Sequence, residues 1–358
     1  MQPTAGNKIE QAMRRALEVA LKGPAHGVNP QVGAVILDEN DDFVAEGWHL
    51  GAGTPHAEIM ALANAKVALA DRLGHFGKLP AGFTAVVTLE PCNHTGKTGP
   101  CAQALIAAGI SRVIFASTDP GDASANGAQT LRDAGIEVIG GVLAEAADEQ
   151  ARVWLTAAKQ QRPFVTLKWA TSLDGRAAAN DGTSKWISGE ESRHDAHLRR
   201  SEVDAILVGT GTALADDPTL TARKPDGTLY EHQPLRVIVG VSPIATSQRI
   251  FNQDAETIQL FTHSVQDVLT ELWARGIKHV MVEGGPKVAS EFIKNGLVNE
   301  YITYLAPILL GGERTALKTI GVDTMAQAHQ LEFKEMRMLG GDVFIRSAAR
   351  TSAEKGAN

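Results

Sequence analysis

The sequence predicts two consecutive α/β domains, residues 1–150 and 151–358, each a sheet covered by helices. Three observations support this prediction. The chain has 358 residues, which is longer than a typical single domain with one hydrophobic core. Short apolar runs alternate with segments of helical periodicity along both halves. Arg162 and Pro163 end a polar-rich helical segment just before a strong apolar run, which places a domain boundary near this point, around residue 150.

The first domain opens with an amphipathic helix over Asn7–Lys22, whose apolar side chains recur at helical spacing. The run Val32–Leu37 and its partner Val44–Trp48 form a predicted hairpin across a polar turn. The remaining predicted elements are, in order, a helix from His56 to Leu69, a strand Phe83–Leu89, a helix Pro100–Gly109, a strand Arg112–Ser117, a helix Gly127–Ala134, a strand Glu137–Val142 and one helix Ala144–Gln161.

The second domain shows the same alternation, which again predicts an α/β sheet. Its predicted strands are Phe164–Ala170, Ala205–Val208, Leu235–Gly240, Thr257–Phe261, His279–Glu283 and Tyr301–Ala306. Its predicted helices are Glu190–Arg200, Val265–Arg275 and Pro286–Asn295. No strand is predicted after Ala306, and the residues after Arg346 are expected to form a loose polar tail.

A zinc site is predicted from residues that lie close together in the first domain. His56 and Glu58 form a His-x-Glu pair, and Cys92 and Cys101 are the only cysteines of the chain. A catalytic zinc takes three protein ligands and keeps a fourth position for water, and His56, Cys92 and Cys101 supply that number. Glu58 projects away from His56 on a helix, so it is expected to move protons rather than bind the metal.

The spacing of the cysteines departs from the commonest deaminase signature. Zinc-dependent nucleobase deaminases combine His-x-Glu with Pro-Cys-x-x-Cys, whereas eight residues separate Cys92 from Cys101. Pro100 suits the first position of a helix, where Cys101 would experience the positive helix terminus that favours a thiolate. The alternative interpretation is two buried, unreactive thiols beside a core histidine.

Composition narrows the class of protein. The net charge of −7 argues against a broad nucleic-acid-binding face. The sequence contains no apolar run long enough to span a bilayer, and charges occur throughout its first twenty residues, so neither a transmembrane helix nor a signal peptide is expected. Two reduced cysteines fit a cytoplasmic enzyme.

Two glycine-bearing turns follow predicted strands in the second domain, at Val208–Thr212 and at Val282–Pro286. Glycine allows close approach of a ligand, and a helix N-terminus attracts phosphate, so the pair favours a nucleotide cofactor. Neither turn is a full G-x-G-x-x-G, and each alone is equally consistent with an ordinary connection. Arg200 and Arg223 could bind a substrate phosphate. His194 and His197 lie three apart on a helix without a third ligand and are expected on the surface.

The sequence resembles the bifunctional riboflavin-biosynthesis proteins, in which a pyrimidine deaminase is fused to a reductase. The resemblance covers nearly the whole chain, and this family also separates its two cysteines by eight residues. The motifs that carry it in the first half are Asn29-Pro30-x-Val32-Gly33, Gly47-Trp48-His49, His56-Ala57-Glu58, Thr88-Leu89-Glu90-Pro91-Cys92 and Gly96-Lys97-Thr98 with Cys101. Those in the second half are Ser172-Leu173-Asp174-Gly175-Arg176, Trp186-Ile187, Leu214-Ala215-Asp216-Asp217-Pro218, Glu283-Gly284-Gly285-Pro286 and Pro307-Ile308-Leu309-Leu310-Gly311.

The resemblance implies a fold and two activities. The first domain is expected to be a cytidine-deaminase-like three-layer domain and the second a dihydrofolate-reductase-like domain. The expected reactions are zinc-dependent deamination of 2,5-diamino-6-ribosylamino-4(3H)-pyrimidinone 5′-phosphate, with Glu58 relaying protons, and NADPH-dependent reduction of the ribosyl group of the deaminated product. The expected partners are these small phosphorylated pyrimidines, and the resemblance also implies a homo-oligomer.

The resemblance also assigns residues by position. The deaminase substrate and its phosphate are expected at Asn29, His49 and Lys97. The expected NADPH positions are Ala170, Trp186, Thr212, Asp216 and the segment Gly285, Pro286, Lys287, Val288, Ala289, Ser290 and Glu291. The expected reductase substrate positions are Ser184, Arg200, Leu220, Arg223 and Glu283.

A few positions depart from the family pattern. Met60 stands where a second histidine is frequent, Gly99 where a proline is frequent, and Thr95 where a histidine or tyrosine is frequent. Gly240 and Val241 replace a frequent Asp-Ser pair, which puts one cofactor contact in doubt. None of these departures affects the three expected zinc ligands or Glu58.

Two other functions remain open on the residues alone. One is a cytidine or tRNA-adenosine deaminase with an accessory domain, against which the acidic charge and the reductase-like second half argue. The other is a structural zinc module with a ligand-binding domain. Structural zinc sites are usually closed by four ligands, and His94 would be the fourth.

Overall fold

The computed structural model describes residues 5–70, 78–94, 99–121 and 126–350. The chain divides into two compact units, Met1–Gln161 and Arg162–Asn358. The division falls at the Arg162-Pro163 pair rather than at residue 150, because the last helix of the first unit continues to Gln160. None of the described helices is both long and apolar enough to cross a membrane.

The first unit alternates strands and helices as the periodicity predicts. Its described helices are α1 (Ala5–Ala20), α2 (Ala57–Ala68), α3 (Cys101–Ala108), α4 (Gly127–Asp133), α5 (Ala144–Gln150) and α6 (Arg152–Gln160). Its described strands are β1 (Gly33–Leu37), β2 (Phe43–Trp48), β3 (Thr84–Leu89), β4 (Arg112–Ser117) and β5 (Glu137–Gly140). They form one sheet in the order β2-β1-β3-β4-β5, in which β1 is antiparallel to both neighbours and β3, β4 and β5 are parallel.

This unit has three layers because each face of its sheet is apolar. Val86 and Ile114 on one face pack with Met13 of α1. Val87 on the opposite face packs in a second cluster with Leu62 of α2 and with α3. Successive strand residues point to opposite faces, so a continuous apolar strand requires cover on both sides. The expected three-layer α/β arrangement is confirmed.

Strand β2 lies unusually close to helix α2. A Cβ added to Gly47 would lie 2.3 Å from the backbone nitrogen of Ala61 and 2.5 Å from the carbonyl oxygen of Ala57. Any side chain at this position would therefore push the helix away from the sheet. Gly47 sets the distance at which the start of α2, and with it His56, stands from the sheet.

The second unit contains a larger sheet. Its described strands are β6 (Phe164–Ser172), β7 (Ala205–Gly209), β8 (Leu235–Val239), β9 (Thr257–Leu260), β10 (His279–Val282), β11 (Glu300–Ala306), β12 (Leu331–Leu339) and β13 (Asp342–Ala349). Its described α-helices are α7 (Glu190–Arg200), α8 (Thr210–Asp216), α9 (Val265–Ala274) and α10 (Pro286–Lys294). The strand order is β12-β13-β11-β6-β10-β7-β8-β9, with the six strands from β11 to β9 parallel and β12 and β13 antiparallel.

Helices cover both faces of the parallel part of this sheet. Leu269 of α9 and Phe292 of α10 pack with Leu167 on one face. Ala213 of α8 packs with Ile206 in a separate cluster on the other face. Parallel strands need such cover, because both of their faces are apolar. The expected second α/β domain is confirmed.

The structure corrects three sequence-based expectations about elements. The single helix predicted from Ala144 to Gln161 is two helices that meet at Ala151. The tail predicted after Arg346 is wrong, because β13 runs to Ala349 and pairs with both β11 and β12. Helix α8 was not predicted, since its glycine-rich start has the composition of a turn.

Candidate active sites

Three side chains that could bind a metal meet at the end of strand β3. His56 is the N-cap of α2, Cys101 is the first residue of α3, and Cys92 follows β3 after two residues. The Nδ1 atom of His56 lies 3.6 Å from the Sγ atom of Cys92 and 3.2 Å from that of Cys101. All three ligand atoms lie within 4.8 Å of one another.

This cluster fits a zinc ion. Tetrahedral zinc with Zn–S and Zn–N bonds of about 2.3 and 2.0 Å places its ligand atoms roughly 3.5–3.8 Å apart, close to the separations found here. Two thiolates and one imidazole are a donor set that zinc accepts. Among the residues that the structure describes, no further His, Cys, Asp or Glu joins the cluster. The group therefore has the three-ligand form of a catalytic site rather than the closed form of a structural one.

His94 does not act as a fourth ligand. Its side chain is exposed, and it lies outside the cluster of His56, Cys92 and Cys101. The structural-zinc alternative required this histidine to close the site. The described residues thus argue against that alternative.

The backbone around Cys92 is held by several contacts. The backbone N–H of Cys101 donates to the Sγ atom of Cys92 at 3.5 Å, which favours a thiolate. The pKa of Cys92 is lowered to about 4 by the side-chain hydrogen bond with Cys101, with His56 contributing against the effect of burial. Glu90 accepts a hydrogen bond from the backbone of Ala128 at 3.0 Å, which anchors the segment before Cys92. Nothing in the residues around Glu90 predicts this role.

Glu58 lies in the first turn of α2 and is 4 % exposed. Burial raises its pKa to about 7, because removal from water disfavours the charged carboxylate. The carboxyl group also interacts with the side chains of Cys101 and His56, so it faces the group of expected zinc ligands. A carboxyl group with a pKa near neutrality can both accept and return a proton at physiological pH.

His49 and Asn29 form a hydrogen-bonded pair beside the cluster. The Nε2 atom of His49 lies 2.9 Å from the Nδ2 atom of Asn29, and its Nδ1 atom lies 3.1 Å from the carbonyl oxygen of Pro55. Burial lowers the pKa of His49. Lys97, the third expected deaminase substrate residue, lies outside the described residues.

The second unit contains a cavity of about 630 Å³ at the carboxyl ends of its parallel strands. Strands β6, β10 and β7 are neighbours, so the residues at their ends meet along one edge of the sheet. Such edges are the usual ligand sites of parallel α/β sheets. Lys168 and Ala170 of β6, Glu283 after β10 and Thr212 after β7 line the cavity.

A buried ion-pair network lies in the wall of this cavity. Arg200, at the end of α7, donates to both carboxylate oxygens of Glu283, at 2.8 and 3.0 Å. Lys168 Nζ lies 3.3 Å from one of these oxygens and 5.5 Å from the centre of the Tyr304 ring. Burial would raise the pKa of Glu283, but the charges of Arg200 and Lys168 outweigh it and hold the pKa below its ordinary value.

Comparison with known proteins places this pair of sites in a family. The profile described as the cytidine and deoxycytidylate deaminase zinc-binding region matches residues 6–117, and the RibD C-terminal domain profile matches residues 163–345. The riboflavin biosynthesis protein RibD of Mycobacterium tuberculosis is 45% identical over 345 residues, which is 96% of this chain and 98% of that protein. The chain belongs to the RibD family.

Solved RibD structures have the same fold. RibD of Acinetobacter baumannii is 33% identical with a TM-score of 0.85, and the alignment covers 96% of this chain and 99% of that one. A Thermotoga maritima diaminohydroxyphosphoribosylaminopyrimidine deaminase / 5-amino-6-(5-phosphoribosylamino)uracil reductase matches with the same identity, TM-score and coverage. Like other RibD proteins, this chain is a bifunctional riboflavin-biosynthesis enzyme with a zinc-binding deaminase domain and a reductase domain that uses NADPH.

The reductase cavity of this RibD protein contains most of the side chains that the sequence assigned to it. The cofactor positions that line it are Ala170, Trp186, Thr212, Asp216, Gly285, Pro286 and Ala289. All five expected substrate positions also line it, namely Ser184, Arg200, Leu220, Arg223 and Glu283.

The remaining four cofactor positions do not line the cavity. Lys287 and Glu291 are exposed on the surface of α10. Ser290 is buried and accepts a hydrogen bond from the backbone of Lys318 at 2.8 Å. Val288 packs against the two glycine turns, where it lies close to the positions that a Cβ of Gly209 or Gly284 would occupy. Helix periodicity explains the difference, since only one side of α10 can face the cavity.

The two glycine turns contact each other directly. The backbone N–H of Gly285 donates to the Oγ1 atom of Thr212 at 3.0 Å. A Cβ added to Gly285 would lie 3.0 Å from the same oxygen. Gly285 is the N-cap of α10, whose first backbone N–H groups have no helical partner. The cavity space beside these turns, the start of α10 and the nearby cations together fit a phosphorylated dinucleotide.

Leu220 combines a buried side chain with a left-handed backbone conformation. The side chain is 5 % exposed and belongs to the core, while its φ angle is +50°. Arg236, fully buried on β8, donates to the carbonyl oxygen of the preceding Thr219 at 3.1 Å and so holds the loop that contains Leu220.

The sequence analysis did not assign four residues of the reductase domain to the cavity or its surroundings: two histidines, a lysine and a tyrosine. His197 is not a free surface residue as expected: it lines the cavity and lies 2.9 Å from the carbonyl oxygen of Thr221. His194 is half-buried and also lines the cavity. Lys168 and the buried Tyr304, whose hydroxyl donates to Asp195 at 2.6 Å, were not predicted at all. No local sequence pattern predicts a role for Lys168 or Tyr304, because they become neighbours only when the strands pair in the sheet.

Proposed function

We propose that this chain catalyses two successive steps of riboflavin biosynthesis. The first is the hydrolytic deamination of 2,5-diamino-6-ribosylamino-4(3H)-pyrimidinone 5′-phosphate. The second is the NADPH-dependent reduction of the ribosyl group of 5-amino-6-(5-phosphoribosylamino)uracil to its ribityl form. The Thermotoga maritima relative is named for these two activities. The observation that carries the proposal is the three-ligand cluster with the buried carboxyl group of Glu58 beside it.

In the deaminase domain, His56, Cys92 and Cys101 would hold the zinc ion. Zinc at this site supplies an activated water at neutral pH. Glu58 accepts a proton from the attacking water and donates one to the amino group that leaves as ammonia. Burial raises the pKa of Glu58 above its ordinary value, which favours the return of the proton to the leaving group. Asn29 binds the pyrimidine, and we assign Lys97 to the phosphate because an ammonium group pairs with this anion.

In the reductase domain, the cavity residues divide between the two ligands. NADPH supplies the hydride, and the N–H groups at the start of α10 and the residues around Thr212 would hold its phosphates. Arg200 and Arg223 form the cationic side of the cavity and bind the phosphorylated pyrimidine. Glu283 fixes the orientation of Arg200 through two hydrogen bonds.

We also propose that the enzyme acts in the cytoplasm on small molecules, forms a homo-oligomer and binds neither nucleic acid nor membranes. The net charge of −7 supports the exclusion of nucleic acid. Two thiols that serve as zinc ligands suit a reducing compartment. Light scattering on the purified chain measures the oligomeric state, and a monomer at micromolar concentration would contradict that part of the proposal.

Ammonia release and NADPH oxidation, followed together on the diaminopyrimidine ribosyl phosphate, test the two activities. Without chelator we expect both signals, with ammonia released first. A zinc chelator should abolish both on this substrate but spare NADPH oxidation on the pre-deaminated compound, and added zinc should restore them. NADPH oxidation without ammonia release would contradict the deaminase assignment and leave only the reductase.

A further inference from the structure

His49 lies in a position where it has no ring nitrogen left for a substrate. It follows the last residue of β2 and is 4 % exposed. Its Nδ1 atom is 3.1 Å from the carbonyl oxygen of Pro55, and its Nε2 atom is 2.9 Å from Nδ2 of Asn29. Both polar atoms of the ring are thus already engaged within the chain.

The two hydrogen bonds fix the tautomer of His49 and the orientation of Asn29. A carbonyl oxygen only accepts, so the hydrogen must be on Nδ1 of the ring. In the neutral ring, Nε2 is then an acceptor, and Asn29 must donate to it through Nδ2. The Oδ1 atom of Asn29 has no hydrogen-bond partner among the described residues, so it is the atom free to receive a ligand.

His49 also contacts His56, one of the three expected zinc ligands. Its ring stands edge-to-face on the ring of His56, with centroids 5.3 Å apart and an interplanar angle of 77°. Pro55, whose carbonyl accepts from His49, directly precedes His56. One buried side chain therefore fixes the start of α2 on one side and the amide of Asn29 on the other.

We propose that His49 is a positioning residue for deamination, which acts on the substrate through Asn29 rather than by direct contact. This inference rests on the proposed deaminase function. By fixing the amide, His49 presents Oδ1 of Asn29 as a hydrogen-bond acceptor for the substrate. Because an amide oxygen only accepts, it selects a ring that offers an N–H donor, such as the ring N–H or an exocyclic amine of an aminopyrimidinone.

A double-mutant cycle tests this proposal. His49→Phe keeps an aromatic ring against His56 but removes both hydrogen bonds, and Asn29→Ala removes the proposed acceptor. We expect each change to raise the deaminase KM by about tenfold or more, since a hydrogen bond to the substrate is lost or misplaced. The double variant should be no worse than Asn29→Ala alone, because His49 has no effect once the amide is gone.

A third variant separates positioning from packing. His49→Gln supplies one donor and one acceptor on a single amide, so it should recover at least part of the activity lost in His49→Phe. Two readouts report on the fold: bound zinc should remain at one ion per chain, and reduction of the pre-deaminated substrate should be unchanged. If His49→Phe is insoluble, the cycle is measured with His49→Gln and Asn29→Ala.

The outcomes distinguish this inference from the function on which it rests. Effects that multiply in the double variant would show that His49 contacts the substrate itself and would overturn the proposal. Loss of zinc in the His49 variants would also overturn it, because it would place the role in metal binding. If the wild-type chain releases no ammonia, the proposed deaminase function fails first, and the inference fails with it.

Discussion

Arg200 and Glu283 form a bidentate pair in the wall of the reductase cavity, with two N–H···O bonds of 2.8 and 3.0 Å. One residue ends a helix and the other follows a strand 83 positions later. The guanidinium fork is held in a single orientation, because Glu283 in turn interacts with Lys168. The orientation of the Arg200 guanidinium in the cavity wall is therefore set by contacts within the chain.

We expect Arg200→Lys to impair substrate binding by the reductase. A lysine cannot make two parallel bonds to Glu283, so the cation would lose its orientation. The KM for the pyrimidine should rise by roughly tenfold or more, while the KM for NADPH should change little. Arg275→Lys, at the exposed C-cap of α9, is the matched control. An increase confined to the KM for NADPH would show that Arg200 belongs to the cofactor site.

Replacement of Glu58 by Gln should separate the two activities. The amide cannot accept the proton of the attacking water, so deamination should fall by roughly 10²–10⁴-fold. Zinc content should stay at one ion per chain, because Glu58 is not one of the three cluster residues. Reduction of the pre-deaminated substrate is the internal control for folding. Deamination near the wild-type rate would rule out the proton relay.

The packing of Val288 against the glycine turns predicts a rescue experiment. A Cβ at Gly209 would lie 2.8 Å from Cγ2 of Val288, with no other atom within 3.5 Å. Gly209→Ala should therefore lower the free energy of unfolding by about 1–3 kcal/mol. Val288→Ala removes the obstructing methyl group, so the double variant should regain part of this loss in urea denaturation. A double variant that is less stable than either single one would contradict this explanation.

His197 should make the reductase unit sensitive to acid. Burial, with the nearby Arg200 charge, lowers the pKa of His197 from 6.5 to about 4. Between these two values the unfolded chain binds more protons than the folded one, so the free energy of unfolding falls as pH falls from 6.5 towards 4. Above pH 6.5 this contribution is constant.

His197→Asn tests this dependence, because an asparagine can still donate to the carbonyl oxygen of Thr221. Urea midpoints measured at pH 7.5, 6 and 5 should show that the wild type loses its advantage over the variant as pH falls. His263→Asn, at an exposed position, corrects for the general effect of losing a histidine. A difference that stays constant over this pH range would contradict the assigned role of burial.

The sequence by itself determined the alternation of strands and helices and identified the three expected zinc ligands. Periodicity encodes which face of an element is apolar, so α7 and β4 were predicted at their observed bounds. His56, Cys92 and Cys101 could be recognised because few residue types bind zinc and the chain holds only two cysteines.

Tertiary structure alone decided what each site residue can contact. Lys168 reaches Glu283 because the neighbouring parallel strands β6 and β10 align residues that are far apart in the chain. Tyr304 of β11 reaches Asp195 because helix α7 packs on the sheet beside it. Likewise, the sequence placed His49 at a substrate position, whereas the fold occupies both of its ring nitrogens. Hydrogen-bond partners and burial depend on long-range packing, which local patterns of residues do not specify.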